Sequence, residues 1–144
     1  MERDYKVIAI DFDGTLFETD YPAIVRPILP VIEMAKARRE KGDKLILWTC
    51  REGVELDAAI EACREPGLVF DAVNDNIQEL KDYWKNNPRK VGADEYWDDK
   101  AVNTQGFETL SCLIKNILIE GTGEKKEVGK INPAGLVNFE PMEE

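Results

Sequence analysis

Four short strand-like runs, the first of them continuously apolar and each set apart from the next by a helix-length stretch, leave this chain few ways to fold. They are residues 7–10 (VIAI), 45–49 (LILWT), 69–73 (VFDAV) and 93–97 (ADEYW). A continuous apolar run suits a strand covered on both faces, as in a parallel sheet. Helical patterns lie between them. In 27–41, Ile28, Val31, Ile32 and Ala35 fall at helical spacing, and Lys36, Arg38, Arg39 and Lys41 load the negative end of the helix dipole. Pro27 and Pro30 are expected in the first turn, whose N–H groups lack helical partners, and Gly42 stops the helix. Further helices are expected over 54–64, 76–84 and 107–120. Strands alternating with helices imply parallel pairing through right-handed crossovers, hence an α/β, three-layer Rossmann-like fold around a central parallel sheet. The 144 residues are read as one domain with a tail over 121–144, where GLVNF either adds an edge strand or packs on the surface.

Composition removes several functions. The net charge of -10 is spread along the chain, and binding a phosphate backbone needs a basic surface, so nucleic acid is not favoured as a partner. No stretch approaches the roughly 20 apolar residues of a membrane span. The start, MERDYK, has no apolar core of a signal peptide, so a cytoplasmic location is expected. Cys50, Cys63 and Cys112 are odd in number and form no C-x-x-C pair, which argues for reduced thiols. The chain has no histidine. Any catalysis must therefore use carboxylates, lysine, hydroxyls or a metal held by oxygen.

The side chains that remain collect at one place. In doubly wound sheets ligands bind beyond the carboxyl ends of the strands. Asp11 and Asp13 follow the first run, Thr49 ends the second, and Asp98 and Asp99 follow the fourth. Each has a plain reading, as a turn, a helix cap or an ordinary strand residue. Their convergence on one rim favours a site.

With those residues in view, DFDGT resembles the first motif of the haloacid dehalogenase superfamily, D-x-D-x-T after a buried strand. Thr49 resembles the second motif, a hydroxyl residue closing a strand, and Asp98-Asp99 the adjacent-pair form of the fourth. Lys90, ahead of the fourth run, sits where the superfamily keeps its third-motif lysine. The resemblance covers about residues 6–101, and LILWTCREG, FDAVNDN and ADEYWDDKA further resemble small bacterial or phage-type members of unassigned function. It implies a phosphatase working through an aspartyl-phosphate.

The residue types suit that chemistry. A carboxylate is a competent nucleophile toward phosphorus, and Asp11 takes that role. Asp13, two residues on, can act as general acid toward the leaving oxygen and then as base toward water. Its backbone carbonyl is expected to face a metal. Two unit charges about 4 Å apart repel by about 4 kcal/mol at an effective dielectric of about 20, and a divalent cation reverses that sign. Oxygen ligands beside a phosphoryl group favour Mg²⁺ over zinc. Asp99 is read as a direct ligand with Asp98 its neighbour. Thr49 would donate to a phosphoryl oxygen, and Lys90 would neutralise developing charge. Gly14 would turn amides toward the phosphate, and Thr15 would brace the loop. Arg51 is read as a substrate contact or a surface salt bridge, and Asn74 and Asn76 as turn formers.

About 35 residues separate Asp13 from Thr49, and a helix uses many of them, so no large cap domain is expected. Residues 16–22 are left as a short flap over an open site. A small phosphorylated substrate is the expected partner, with a homo-oligomer as one way to cover the site. Two rivals stand beside this reading: a receiver-like module that accepts phosphate on aspartate for signalling, and a non-catalytic binding protein of the same fold.

Overall fold

The computed structural model describes residues 1–107, 114–115, 117–118, 130–131 and 137–138. Packing divides the chain into two compact units, Met1–Asp99 and Lys100–Glu144.

The first unit is built on a four-stranded sheet. Its strands are β1 (Val7–Ile10), β4 (Lys44–Leu47), β5 (Ala72–Val73) and β6 (Glu95–Trp97), in the spatial order β5-β4-β1-β6. All neighbours are parallel, with Ile8 opposite Leu45 on one side of β1 and opposite Glu95 on the other. Helices α1 (Leu29–Glu40), α2 (Gly53–Arg64) and α3 (Gln78–Trp84) form the crossovers. This is the expected α/β, Rossmann-like arrangement.

The apolar run of β1 is explained by cover on both faces. Ile8 and Ile10 pack with Leu45, Leu47, Ile32 and Ala35 of α1, and Ala59 and Cys63 of α2. Val7 and Ala9 face the other way, toward Ile46, Ile77, Leu80 of α3 and Val91. Every β1 side chain is thus buried, worth about 1.5–3 kcal/mol for each large aliphatic group. Beyond β1 the chain winds out to β4 and β5, then returns to the opposite side at β6. That reversal puts the switch point of the sheet at the carboxyl end of β1.

Three elements differ from expectation. The flap read over 16–22 is the first arm of an antiparallel hairpin, β2 (Phe17–Asp20) and β3 (Ala23–Pro27). The adjacent β-branched pair Ile24-Val25 favours the strand, and Pro27 ends it instead of entering the helix. Pro30 alone lies in the first turn of α1. The third run contributes only two residues to the sheet. Asp71 begins the pairing with its own groups: its N–H donates to the Leu45 carbonyl (2.8 Å) and its carboxylate accepts from the Leu45 N–H (2.9 Å).

In the second unit a short 3₁₀ turn covers Thr104–Gly106, and β7 (Lys130–Ile131) pairs antiparallel with β8 (Val137–Asn138), which lies within the GLVNF run. Most of the helix expected over 107–120, Cys112 and most of the tail lie outside the described residues. Among the described residues no helix is long and apolar enough to cross a membrane.

Candidate active site

The sheet itself delivers the acids. The Asp11 N–H extends the β1–β6 ladder by donating to the Trp97 carbonyl (2.8 Å). Asp11 and the Asp98-Asp99 pair therefore leave neighbouring strands side by side. One carboxylate oxygen from each of Asp11, Asp98 and Asp99 lies within 4.8 Å of the others. Asp11 is half-buried, while Asp98 and Asp99 are exposed.

Thr15 and Gly14 make this approach possible. The Thr15 hydroxyl lies 3.3 Å from Asp11 Oδ2 and 3.4 Å from Asp99 Oδ1, and it accepts from the Asp99 N–H at 3.0 Å. It thus bridges two strand ends, beyond the loop bracing expected of it. Gly14 has φ +81°, and a Cβ there would stand 2.5 Å from Asp99 Oδ2. Its N–H donates to the Phe17 carbonyl (2.8 Å), and the Thr15 N–H donates to the Phe12 carbonyl (3.3 Å). Those amides are used within the turn, so Gly14 serves the close approach of Asp99, not a phosphate cradle.

The neighbouring acids and burial act on Asp11. Burial, then the charges of Asp98 and Asp99, push the Asp11 carboxyl up to about 6 from its ordinary 3.8, against hydrogen bonds from the Phe12 N–H and Thr15. A site that resists its own ionisation in this way is suited to a cation. The donor set is all oxygen, which fits Mg²⁺.

Asp13 is held apart from this cluster by Arg51. The guanidinium grips its carboxylate with two parallel bonds, Nε to Oδ2 (2.9 Å) and Nη2 to Oδ1 (2.7 Å). Arg51 is 1% exposed, so neither a surface salt bridge nor a substrate contact describes it. Its hydrogen bonds hold Asp13 below the usual carboxylate range despite partial burial, with help from Thr19.

Thr49 lies just past β4. Its N–H donates to Asn74 Oδ1 (2.8 Å), and its hydroxyl accepts from the Arg51 N–H (3.1 Å). Asn74, with φ +48°, also donates to the Arg51 carbonyl (3.4 Å), so it ties the end of β5 to the end of β4. Asn76 is buried, and its amide holds Asn87, the Pro88 carbonyl and the Gly92 N–H. Asn74 is the turn former expected and also a brace, while Asn76 braces the loop ahead of β6. Lys90, carried by that loop, is exposed, with its ammonium 5.5 Å from the Tyr96 ring centre.

Fold and site together define a Rossmann-like α/β protein with an acid cluster at its switch point. No protein-family model matches the chain, and no curated protein does. Among solved structures, a conserved protein of Bacteroides thetaiotaomicron is similar to it. The two are 41% identical over 69% of this chain and 79% of the other, with a TM-score of 0.61. This chain belongs to the family of that Bacteroides protein.

Proposed function

We propose that the chain is a Mg²⁺-dependent phosphohydrolase of the haloacid dehalogenase type, acting on a small phosphorylated substrate through an aspartyl-phosphate on Asp11. The observation that carries this reading is the meeting of Asp11, Asp98 and Asp99 at the switch point, with a second carboxylate two residues beyond the first. Mg²⁺, bound by these oxygens, would supply charge neutralisation for the phosphoryl group and for Asp11 as nucleophile.

The chain's own residues then divide the reaction. An Asp11 oxygen forms the bond to phosphorus as the ester P–O bond breaks. Asp13 later takes a proton from water, whose oxygen attacks phosphorus and frees the Asp11 carboxylate with inorganic phosphate. Arg51 keeps Asp13 ionised at rest, which suits that base role. The same pairing opposes proton donation in the first step, so leaving oxygens that depart as stable anions are the favoured class. The Thr49 hydroxyl, free to rotate, can turn its proton to a phosphoryl oxygen while still accepting from Arg51. Lys90, exposed beside Tyr96, takes no part in these steps.

The experiment is hydrolysis of an aryl phosphate. Turnover should require Mg²⁺, stop in excess chelator and vanish in Asp11→Asn, which is nearly isosteric but a far weaker nucleophile. Full activity in chelator, or near wild-type rate in the variant, would contradict the reading.

A further inference from the structure

Arg51 carries more structure than a counter-charge needs. Its two parallel bonds to Asp13 use Nε and Nη2. Nη1 donates to the Pro22 carbonyl at the hairpin turn (3.2 Å) and to the Glu55 carbonyl in the first turn of α2 (3.4 Å). The guanidinium carbon lies over two rings, 4.9 Å from the centre of Phe12 and 5.0 Å from that of Tyr21. Phe12 is fully buried beside β1, whereas Tyr21 is largely exposed at the hairpin turn. A planar group bonded along its edges and packed against two rings has little freedom to tilt. Burying a charged side chain this fully costs several kcal/mol unless geometry and hydrogen bonds offset it. A lone surface aspartate would not need such a holder.

We infer that Arg51 is a positioning residue: it fixes the Asp13 carboxylate in the orientation required for attack of water on the phosphorylated Asp11, and it couples that orientation to the β2–β3 hairpin through Pro22 and Tyr21. This rests on the phosphohydrolase reading. Arg51 transfers no proton itself and acts through the Asp13 carboxylate that it holds. Its effect falls on the step that uses Asp13 as base, and much less on the attack of Asp11. Lysine cannot replace it, because one ammonium cannot make two parallel bonds to a carboxylate and pack as a plane against aromatic rings.

The test separates the two steps. Arg51→Lys and Arg51→Met are mixed with an aryl phosphate and Mg²⁺, quenched rapidly in acid, and read by intact mass for phosphoprotein, alongside steady-state turnover and thermal melts. Displacing a catalytic group by about 1 Å costs about 10²-fold, so hydrolysis of the phosphoenzyme should slow by about that factor while phosphorylation persists. Phosphoprotein should then accumulate. In an Asp13→Asn background, adding Arg51→Lys should slow hydrolysis no further. If Arg51→Met does not fold, Arg51→Lys keeps the charge and carries the test. A folded Arg51→Lys with wild-type turnover would overturn the inference. So would parallel loss of both steps, with the phosphorylated fraction unchanged, since that is the mark of a purely structural role. A wild-type protein that neither turns over nor becomes phosphorylated would remove the phosphohydrolase reading itself, and the inference with it.

Discussion

Gly14 meets two demands that no side chain satisfies together. Its φ of +81° lies in the left-handed region, and a Cβ would collide with the Asp99 carboxylate. Gly14→Ala should therefore lower stability by about 1–2 kcal/mol from the backbone alone. It should also push Asp99 out of reach of Asp11 and Thr15, with a fall in Mg²⁺-dependent turnover of about 10²-fold. Chemical denaturation and an aryl phosphate assay measure the two effects. Unchanged turnover in the folded variant would mean that Asp99 is not required where it stands. The acids themselves were legible in the sequence because strand ends in a parallel sheet define one rim, and Asp11, Asp98 and Asp99 have to share it. The Asp13–Arg51 pair was not legible, since nothing local to DFDGT or TCREG fixes a contact between residues 38 positions apart. One signal was available: a rim of acids without histidine calls for a cation, and Arg51 lies two residues past the second run. Lys90 illustrates the opposite limit, because its position ahead of the fourth run says nothing about where a long exposed side chain points.

At the scale of elements, Arg38 in the last turn of α1 joins three pieces of chain. It donates to Asp43 in the turn before β4 and forms a paired bridge to Glu95 at the start of β6. Arg38→Ala leaves the buried Asp43 with only the Lys6 N–H among these partners and should cost about 2–3 kcal/mol. Burial alone would raise the Asp43 carboxyl, but the Lys6 N–H and Arg38 outweigh it and hold it below its ordinary value; Arg38 does the same for Glu95. A depressed folded value contributes stability above the unfolded value and loses it as pH falls through the folded one. The gap between wild type and Arg38→Ala should therefore be full near neutral pH and shrink as pH drops below about 4. Urea denaturation across that range checks it, and a gap independent of pH would contradict it. The continuous apolar runs foretold β1 and β4 because cover on both faces leaves no room for alternation. The hairpin escaped notice because its strands are short and mixed, and Pro27 reads as easily as a helix start. The third strand came out shorter because Asp71 makes the first ladder bonds in place of Val69 and Phe70.

At the scale of the whole molecule, the acid cluster sets a tension between folding and binding. The Asp11 carboxyl rises to about 6 through burial and its neighbours. Native protein thus binds this proton more tightly than the unfolded chain, and the site costs stability as pH climbs from about 4 to about 6. A cation competes with the proton, so Mg²⁺ should raise the melting temperature more at about pH 7 than at about pH 5. Asp11→Asn should erase that difference and melt higher than wild type without metal. An equal Mg²⁺ shift at both pH values would place the cation elsewhere.

The proposed chemistry turns on a covalent phosphoryl group on Asp11, and Asp13→Asn would trap it. The variant keeps the nucleophile and the acid cluster but loses the base that frees the phosphate, a role typically worth about 10²–10⁴-fold. Given an aryl phosphate and Mg²⁺ and quenched in acid, it should carry one phosphoryl group per chain by intact mass, mapped to Asp11 and absent from Asp11→Asn/Asp13→Asn. A quenched Asp13→Asn protein that bears no phosphate while turning over near the wild-type rate would contradict the account.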